Sequence, residues 1–206
     1  MQHNLQVEGF GVRLRPVRML DAAFIVWLRN RDYVRGRVGD TVGDVAGQVA
    51  WLAAYYERAN DYYFIIETTN GIPVGTYAIY DLKSNSAEAG RWIVRQEVLA
   101  AIPSALLLFD LAFSTFRLDE IRVRVVSDNR PVLSLHRKFG FRDMRMETNA
   151  QIIGDRSVDM IHFLLTVGEW GKRREQMVSL AQEARIQVLE WEDAQCPRRD
   201  LVLARC

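Results

Sequence analysis

The sequence predicts a mixed α/β domain: a mostly antiparallel sheet of six to seven strands flanked by helices, with a helical extension at the C-terminus. Three observations carry this. Runs with an apolar residue at every second position, such as "EIRVRVVSD", alternate along the chain with runs at helical spacing. The dipeptide Asn70-Gly71 separates two apolar runs and marks a hairpin, hence antiparallel neighbours. Helical runs also stand between the later strands, leaving room for a parallel step across each of two helices. A chain of 206 residues suits one domain with an appendage. The expected division is a flexible leader at 1–10, the domain at 11–168, and a helix and tail at 169–206.

The elements follow in order. "GVRLRPV" alternates apolar and basic residues as a half-buried strand does. "MLDAAFIVWLRNRDYV" has helical spacing, with Asp21 as its cap. A glycine-containing loop, Gly36 to Gly43, leads to a second amphipathic helix over about residues 44–59. "DYYFIIET" and "IPVGTYAIYDL" form the hairpin about Asn70-Gly71, and "AEAGRWIV" is a further strand. "IPSALLLFDLAFSTF" is apolar all round, so that helix must be buried. After "EIRVRVVSD" comes "NRPVLSLHRKFGF", a helix with Asn129 as cap, Pro131 in the first turn and Gly140 closing it. "FRDMRMETNAQII" and "SVDMIHFLLTV" are a last strand pair turning at Gly154-Asp155. The terminal helix carries an apolar stripe, including Met177, Leu180, Ala184 and Val188, suited to packing on the domain or on a second copy in a homodimer. "PRRDLVLARC" is expected to add a short edge strand or to be flexible.

Composition excludes several classes. A net charge of +1 lacks the basic excess of a dedicated nucleic-acid binder. No apolar run reaches the roughly 18 residues a membrane crossing needs, and no signal-like apolar core opens the chain, so a cytoplasmic protein is expected. Both cysteines, Cys196 and Cys206, lie in the tail and read as reduced bystanders; no metal is expected.

Two local patterns, with the element order, resemble the GNAT superfamily of acetyl-CoA-dependent N-acetyltransferases. "DNRPVLSLHRKFGF" looks like the family's strand-exit asparagine followed by a helix ending in Gly-Phe. "RQEVLAAIPSALL" occupies the place of its pyrophosphate loop, [Q/R]-x-x-G-x-[G/A]: Gln96 and Ala101 fit, and Leu99 stands at the central glycine. The opening "VRLRPVRMLDAAFIVWLRN" looks like the branch of ribosomal-protein and polyamine acetyltransferases. "WLRN", "AEAGRWIV" and "VDMIHFLLTVGEW" lean towards its members that acetylate nucleotide-linked amino sugars for surface polysaccharides such as lipopolysaccharide. The resemblance covers about residues 11–170.

The resemblance implies acetyl-CoA as co-substrate and direct transfer to a primary amine. Main-chain groups of Trp92, Ile93 and Val94 would hold the pantetheine arm where the sheet splays. Backbone amides across Gln96, Leu99, Ala100, Ala101, Ile102 and Ser104 would hold the pyrophosphate, helped by the helix dipole. Asn129 and Leu133 would border the arm. His136 stands where the family commonly has a tyrosine that protonates the departing thiolate, and an imidazole suits that work. The alternative is a structural histidine on the exposed side of the helix, flanked by Arg137 and Lys138, although Val132, Leu135 and Phe139 mark an apolar stripe beside it. Glu88 is the expected proton acceptor for the incoming ammonium, or else a strand-edge carboxylate paired with Arg91 or Arg122. Asp81 and His162 are weaker candidates. Arg29, Asn30, Tyr77 and Trp92 are candidates for the acceptor side, the first two as holders of a diphosphate. For those first two, in the run Arg29 to Arg31, charge compensation at the helix C-terminus is the cheaper explanation. Protein N-terminal or polyamine acetylation, and a non-catalytic CoA-binding protein, remain open.

Overall fold

The computed structural model describes residues 2–39 and 43–195. Eight strands form one sheet: β1 (Val7–Gly9), β2 (Val12–Pro16), β3 (Tyr62–Thr68), β4 (Pro73–Tyr80), β5 (Ser86–Val94), β6 (Glu120–Val126), β7 (Arg142–Ile153) and β8 (Arg156–Thr166). Their order across the sheet is β1-β2-β3-β4-β5-β6-β8-β7. The helices are α1 (Ala22–Arg29), α2 (Val45–Tyr56), α3 (Ala101–Asp110), α4 (Arg130–Lys138) and α5 (Val167–Gln195). A π turn, Leu111–Thr115, continues α3.

The mixed, mostly antiparallel architecture is the expected one, with one strand more. Residues 7–9, expected in a loose leader, pair with β2 as the outermost strand. Their hairpin turns on Phe10 and Gly11, both in the left-handed region at φ 54° and 80°. Phenylalanine seldom occupies the first such position, so the turn carried no Asn-Gly or Gly-Gly signal. Asp21 does not cap α1 through its side chain. It folds back instead to accept from the Arg18 amide at 2.7 Å and both terminal nitrogens of Arg15. Of the two parallel steps, only β5 to β6 joins neighbours directly. Across α4 the chain enters β7, but β8 inserts between β6 and β7, antiparallel to each.

Strand alternation sorts the core into two layers. Phe64, Ile66, Tyr77 and Ile79 join α3, α5, Leu133 and Phe139 in the larger cluster. Tyr63, Ile65 and Ala78 meet Ile25 of α1 and Leu52 and Tyr55 of α2 on the other side. Seven residues of α3, Pro103 to Phe109, are buried, as its unbroken apolarity demands. Gly140, at φ +96°, ends α4: its amide donates to Arg137 O, and that of Phe141 to His136 O. That double bond closes the helix, and the left-handed residue it requires is cheapest as glycine. The segment Pro197–Cys206 and both cysteines lie outside the described residues.

Two irregularities prepare the site. Strands β5 and β6 pair only through Ser86–Glu120, Ala87–Ile121 and Glu88–Arg122, then separate. On the other edge of β5, Thr76 faces Ile93 and Ala78 faces Gly90, so Tyr77 alone opposes Arg91 and Trp92. This bulge puts Arg91 at φ 51°. Thr76 Oγ1 donates to Arg91 O at 2.7 Å and fixes the kink.

Candidate active site

The splayed strands open a cavity of about 330 Å³ that runs through the sheet. One half is walled by Trp92, Tyr77, Val125, Asn129, Val132 and His136; the other by Ile25, Arg29, Arg37, Gln48, Trp51, Tyr63 and Arg91. Glu88, Tyr80 and Arg124 border it where the strands part.

His136 is 3% exposed. Its ring lies edge-on to Trp92 and Phe141, at 5.7 and 5.0 Å between centroids, and stacks on Phe163. Nδ1 lies 2.8 Å from Val132 O. A carbonyl only accepts, so Nδ1 carries the proton and Nε2 a lone pair. Burial pulls the pKa down to about 4, only partly opposed by the Val132 bond. A neutral imidazole with this tautomer has no acidic proton at Nε2, so the expected role as acid to the thiolate is not what this environment favours.

Glu88 Oε1 accepts from Tyr80 Oη at 2.7 Å and from Arg124 Nε at 3.1 Å. The carboxylate is thus paired, though with neither Arg91 nor Arg122, the partners of the alternative reading. Burial and then the neighbouring Glu88 charge push the Tyr80 phenol up. Arg91 is claimed instead by Asp61, bidentate at 2.6 and 2.8 Å. Burial would lower Arg91, but the Asp61 bonds and charge raise it overall. Its guanidinium also lies 4.5 Å above the Tyr80 ring. Burial, with the nearby Arg91 charge, lowers Arg29; its Nη2 donates to Gly39 O at 2.7 Å.

The loop before α3 answers the question of the missing glycine. Among the described non-glycine residues, those in the left-handed region do not include Leu99. Its side chain is 48% exposed and lines a surface groove with Trp191 and Ile186 of α5. Ala100, fully buried, is the residue before the helix. Its amide is spent on Val98 O, at 2.8 Å, and that of Ser104 on Ala100 O, at 3.0 Å. The amides of Leu99, Ala101 and Ile102 have no backbone partner among the described residues, which suits an anion.

The structure brings together Glu88, Trp92, Tyr77, Asn129, His136 and Arg29 on one cavity. Asn129 precedes α4 but makes no side-chain cap bond, contrary to expectation, and faces the cavity instead. Asn30 is not brought in: its Nδ2 donates to Val26 O within α1. Leu133 and Ser104 are buried in the core, and Ser104 Oγ donates to Ala101 O. Ile93 is buried against α1 beside Leu28 and Val34, and Val94 O accepts from Tyr33 Oη. Gln96 is exposed. Asp81 and His162 do not line the cavity, and His162 Nε2 meets Glu147 at 2.7 Å.

Sequence reasoning missed Asp61, Tyr80 and Arg124 as partners, and Gln48. The last left a signal. Gln48, Leu52 and Tyr55 share the buried stripe of α2, so a polar side chain stands where an apolar one is the rule. Among the described residues no cluster of His, Cys, Asp or Glu could hold a metal, and no helix is long and apolar enough to cross a membrane.

Comparison with known proteins places the fold. No curated protein matches the sequence. Solved structures do. Apo FdhC, described as a nucleotide-linked sugar GNAT, is 28% identical with a TM-score of 0.71, over 85% of this chain and 98% of that one. Mycobacterium smegmatis RimJ, solved with CoA-disulfide, is 22% identical with a TM-score of 0.72, over 86% and 95%. A point mutant of the spermidine N-acetyltransferase SpeG from Vibrio cholerae is 16% identical with a TM-score of 0.69, over 79% and 97%; it and RimJ speak for the fold alone. The model of the acetyltransferase (GNAT) domain matches residues 12–142, well over half the chain. The chain therefore belongs to the GNAT acetyltransferase family.

Proposed function

We propose that the protein transfers acetyl from acetyl-CoA directly to the primary amine of a nucleotide-linked amino sugar, as in surface polysaccharide synthesis. The observation that carries the acceptor class is the charge of the α1–α2 half of the cavity. Arg29, Arg37 and Arg91 line it and Arg124 borders it where the strands part, against the carboxylates of Glu88 and Asp61. A polyamine would be repelled there, whereas a diphosphate is attracted and Trp51 offers a ring for stacking. The likeness to FdhC, a nucleotide-linked sugar GNAT, supports the same class.

The residues fit acetyl-CoA. The unpaired length of β5 offers main chain to the pantetheine arm, and the amides of Leu99, Ala101 and Ile102 offer donors to the pyrophosphate. The thioester supplies an acyl carbon that a neutral amine can attack. Glu88, held by Tyr80 and Arg124, takes the first ammonium proton and passes it to solvent. The second proton shed by nitrogen ends on the departing sulfur, which leaves as the thiol. His136 shields that end from water and presents Nε2 as an acceptor.

Calorimetric titration with acetyl-CoA, followed by thiol release with nucleotide-linked amino sugars, spermidine and peptides, tests the reading. Saturable binding and a kcat/KM preference for the nucleotide-linked amine are expected. Preference for spermidine or a peptide would sink the acceptor class. No binding at high micromolar acetyl-CoA would leave the non-catalytic reading.

A further inference from the structure

Tyr77 is the one buried tyrosine of this region whose hydroxyl has no hydrogen-bond partner among the described residues. Its neighbours are all satisfied: Tyr55 donates to Asp61 O, Tyr56 to Val17 O and Tyr80 to Glu88. The ring is 1% exposed, stacked on Trp92 at 4.9 Å and 11°, and edge-on to Phe109. Nothing about its position is loose. A buried hydroxyl with no protein partner carries a desolvation penalty, and such groups call for an explanation.

Three facts narrow that explanation. The side chain lines the cavity beside Trp92, which also touches His136. Burial holds the phenol in its protonated form, so the group is a donor in want of an acceptor. His136 and Glu88 present acceptors to the same cavity, whereas Tyr77, which also lines it, carries a neutral O–H donor. Tyr80, which steadies Glu88, stands on the same strand and points to the opposite layer, where the split joins the two halves.

We infer that Tyr77 Oη donates to the carbonyl oxygen of the bound acetyl thioester. This rests on the acyl-transfer reading above and deepens it. The hydroxyl keeps its proton throughout; no bond to oxygen is made or broken. The hydrogen bond strengthens as the amine adds and negative charge gathers on the acyl oxygen, so it stabilises attack more than ground-state binding.

The test is Tyr77→Phe, which removes one oxygen and keeps the ring. Three readouts are expected. The unliganded variant should melt no lower than wild type, since an unsatisfied group is deleted. Its affinity for acetyl-CoA should fall about threefold to tenfold while that for CoA, which lacks the carbonyl, stays within twofold. Turnover should fall at least about tenfold with the amine KM unchanged. Equal weakening of both ligands, unchanged binding of both with full turnover, or a markedly lower melting temperature would each overturn the inference while the acyl-transfer reading stands. Failure of the wild-type protein to bind either ligand would overturn both.

Discussion

His136 shows how far a residue's surroundings decide its chemistry. In the sequence it stands in a helix beside Arg137 and Lys138, and an imidazole of ordinary pKa would be ready to give a proton. In the fold it is walled by Trp92, Phe141 and Phe163, and its one tight bond is to a carbonyl. Its folded pKa of about 4 lies below the unfolded 6.5, so between those values the unfolded chain binds a proton that the folded one refuses. Stability therefore rises with pH across that window and is level above it. Acidification from pH 7 to 5 should cost on the order of 2 kcal/mol through this group alone. Urea denaturation of wild type and His136→Leu at the two pH values measures it: the variant should lose that part of the slope. An unchanged slope would mean that the folded ring takes up a proton as readily as the unfolded one, so that burial does not lower its pKa. The family resemblance marked His136 and Glu88 as catalytic candidates, and both line the cavity. It could not assign their states, because those depend on Trp92, Tyr80 and Arg124, brought in from other strands and irregularities.

At the scale of elements, legibility followed how local the cause is. Helix α3, the Asn70-Gly71 hairpin and the Gly140 stop rest on nearest neighbours in sequence, and all were readable. Strand β1 was not, because its turn uses Phe10 where a glycine or asparagine would announce it. The insertion of β8 between β6 and β7 was not either, since it is a choice among pairings of similar patterns. The loop before α3 is the instructive case. A missing glycine suggests a decayed anion site only if a left-handed residue is needed there, and Leu99 does not adopt that region. The loop is set from outside instead: Arg95 is clasped between Trp27 and Trp191, about 5 Å from each ring, and bonded to Glu97. Restoring the family's glycine by Leu99→Gly should therefore bring no benefit. Acetyl-CoA affinity should stay within about twofold, and stability should drop by roughly 0.5–1 kcal/mol from added backbone freedom. A large gain in affinity by calorimetry would show that Leu99 obstructs the cradle.

Across the whole molecule, α5 ties together parts that the sheet alone leaves apart. Its buried face, Trp170, Met177, Ala181, Ala184 and Val188, lies along the α3 layer. Near its start Trp170 and Arg174 bond Asp110 at the end of α3. Towards its other end Trp191 meets Arg95 of the loop before α3, and Glu192, 1% exposed, reaches the β3–β4 turn. There Glu192 accepts from the Asn70 amide at 2.8 Å and from Thr69 Oγ1 at 3.1 Å. The helix thus braces both the loop and the hairpin whose second strand carries Tyr77 and Tyr80. Removing the carboxylate strands a backbone donor and a hydroxyl, so Glu192→Ala should destabilise by about 1–3 kcal/mol in urea denaturation. Glu192→Gln keeps one acceptor oxygen and should recover much of that loss. Hydrogen exchange adds the spatial part: the Asn70 amide should lose protection in the alanine variant more than amides of the β7–β8 pair do. Uniform loss across the sheet would mean that α5 acts only through global stability and does not brace the hairpin.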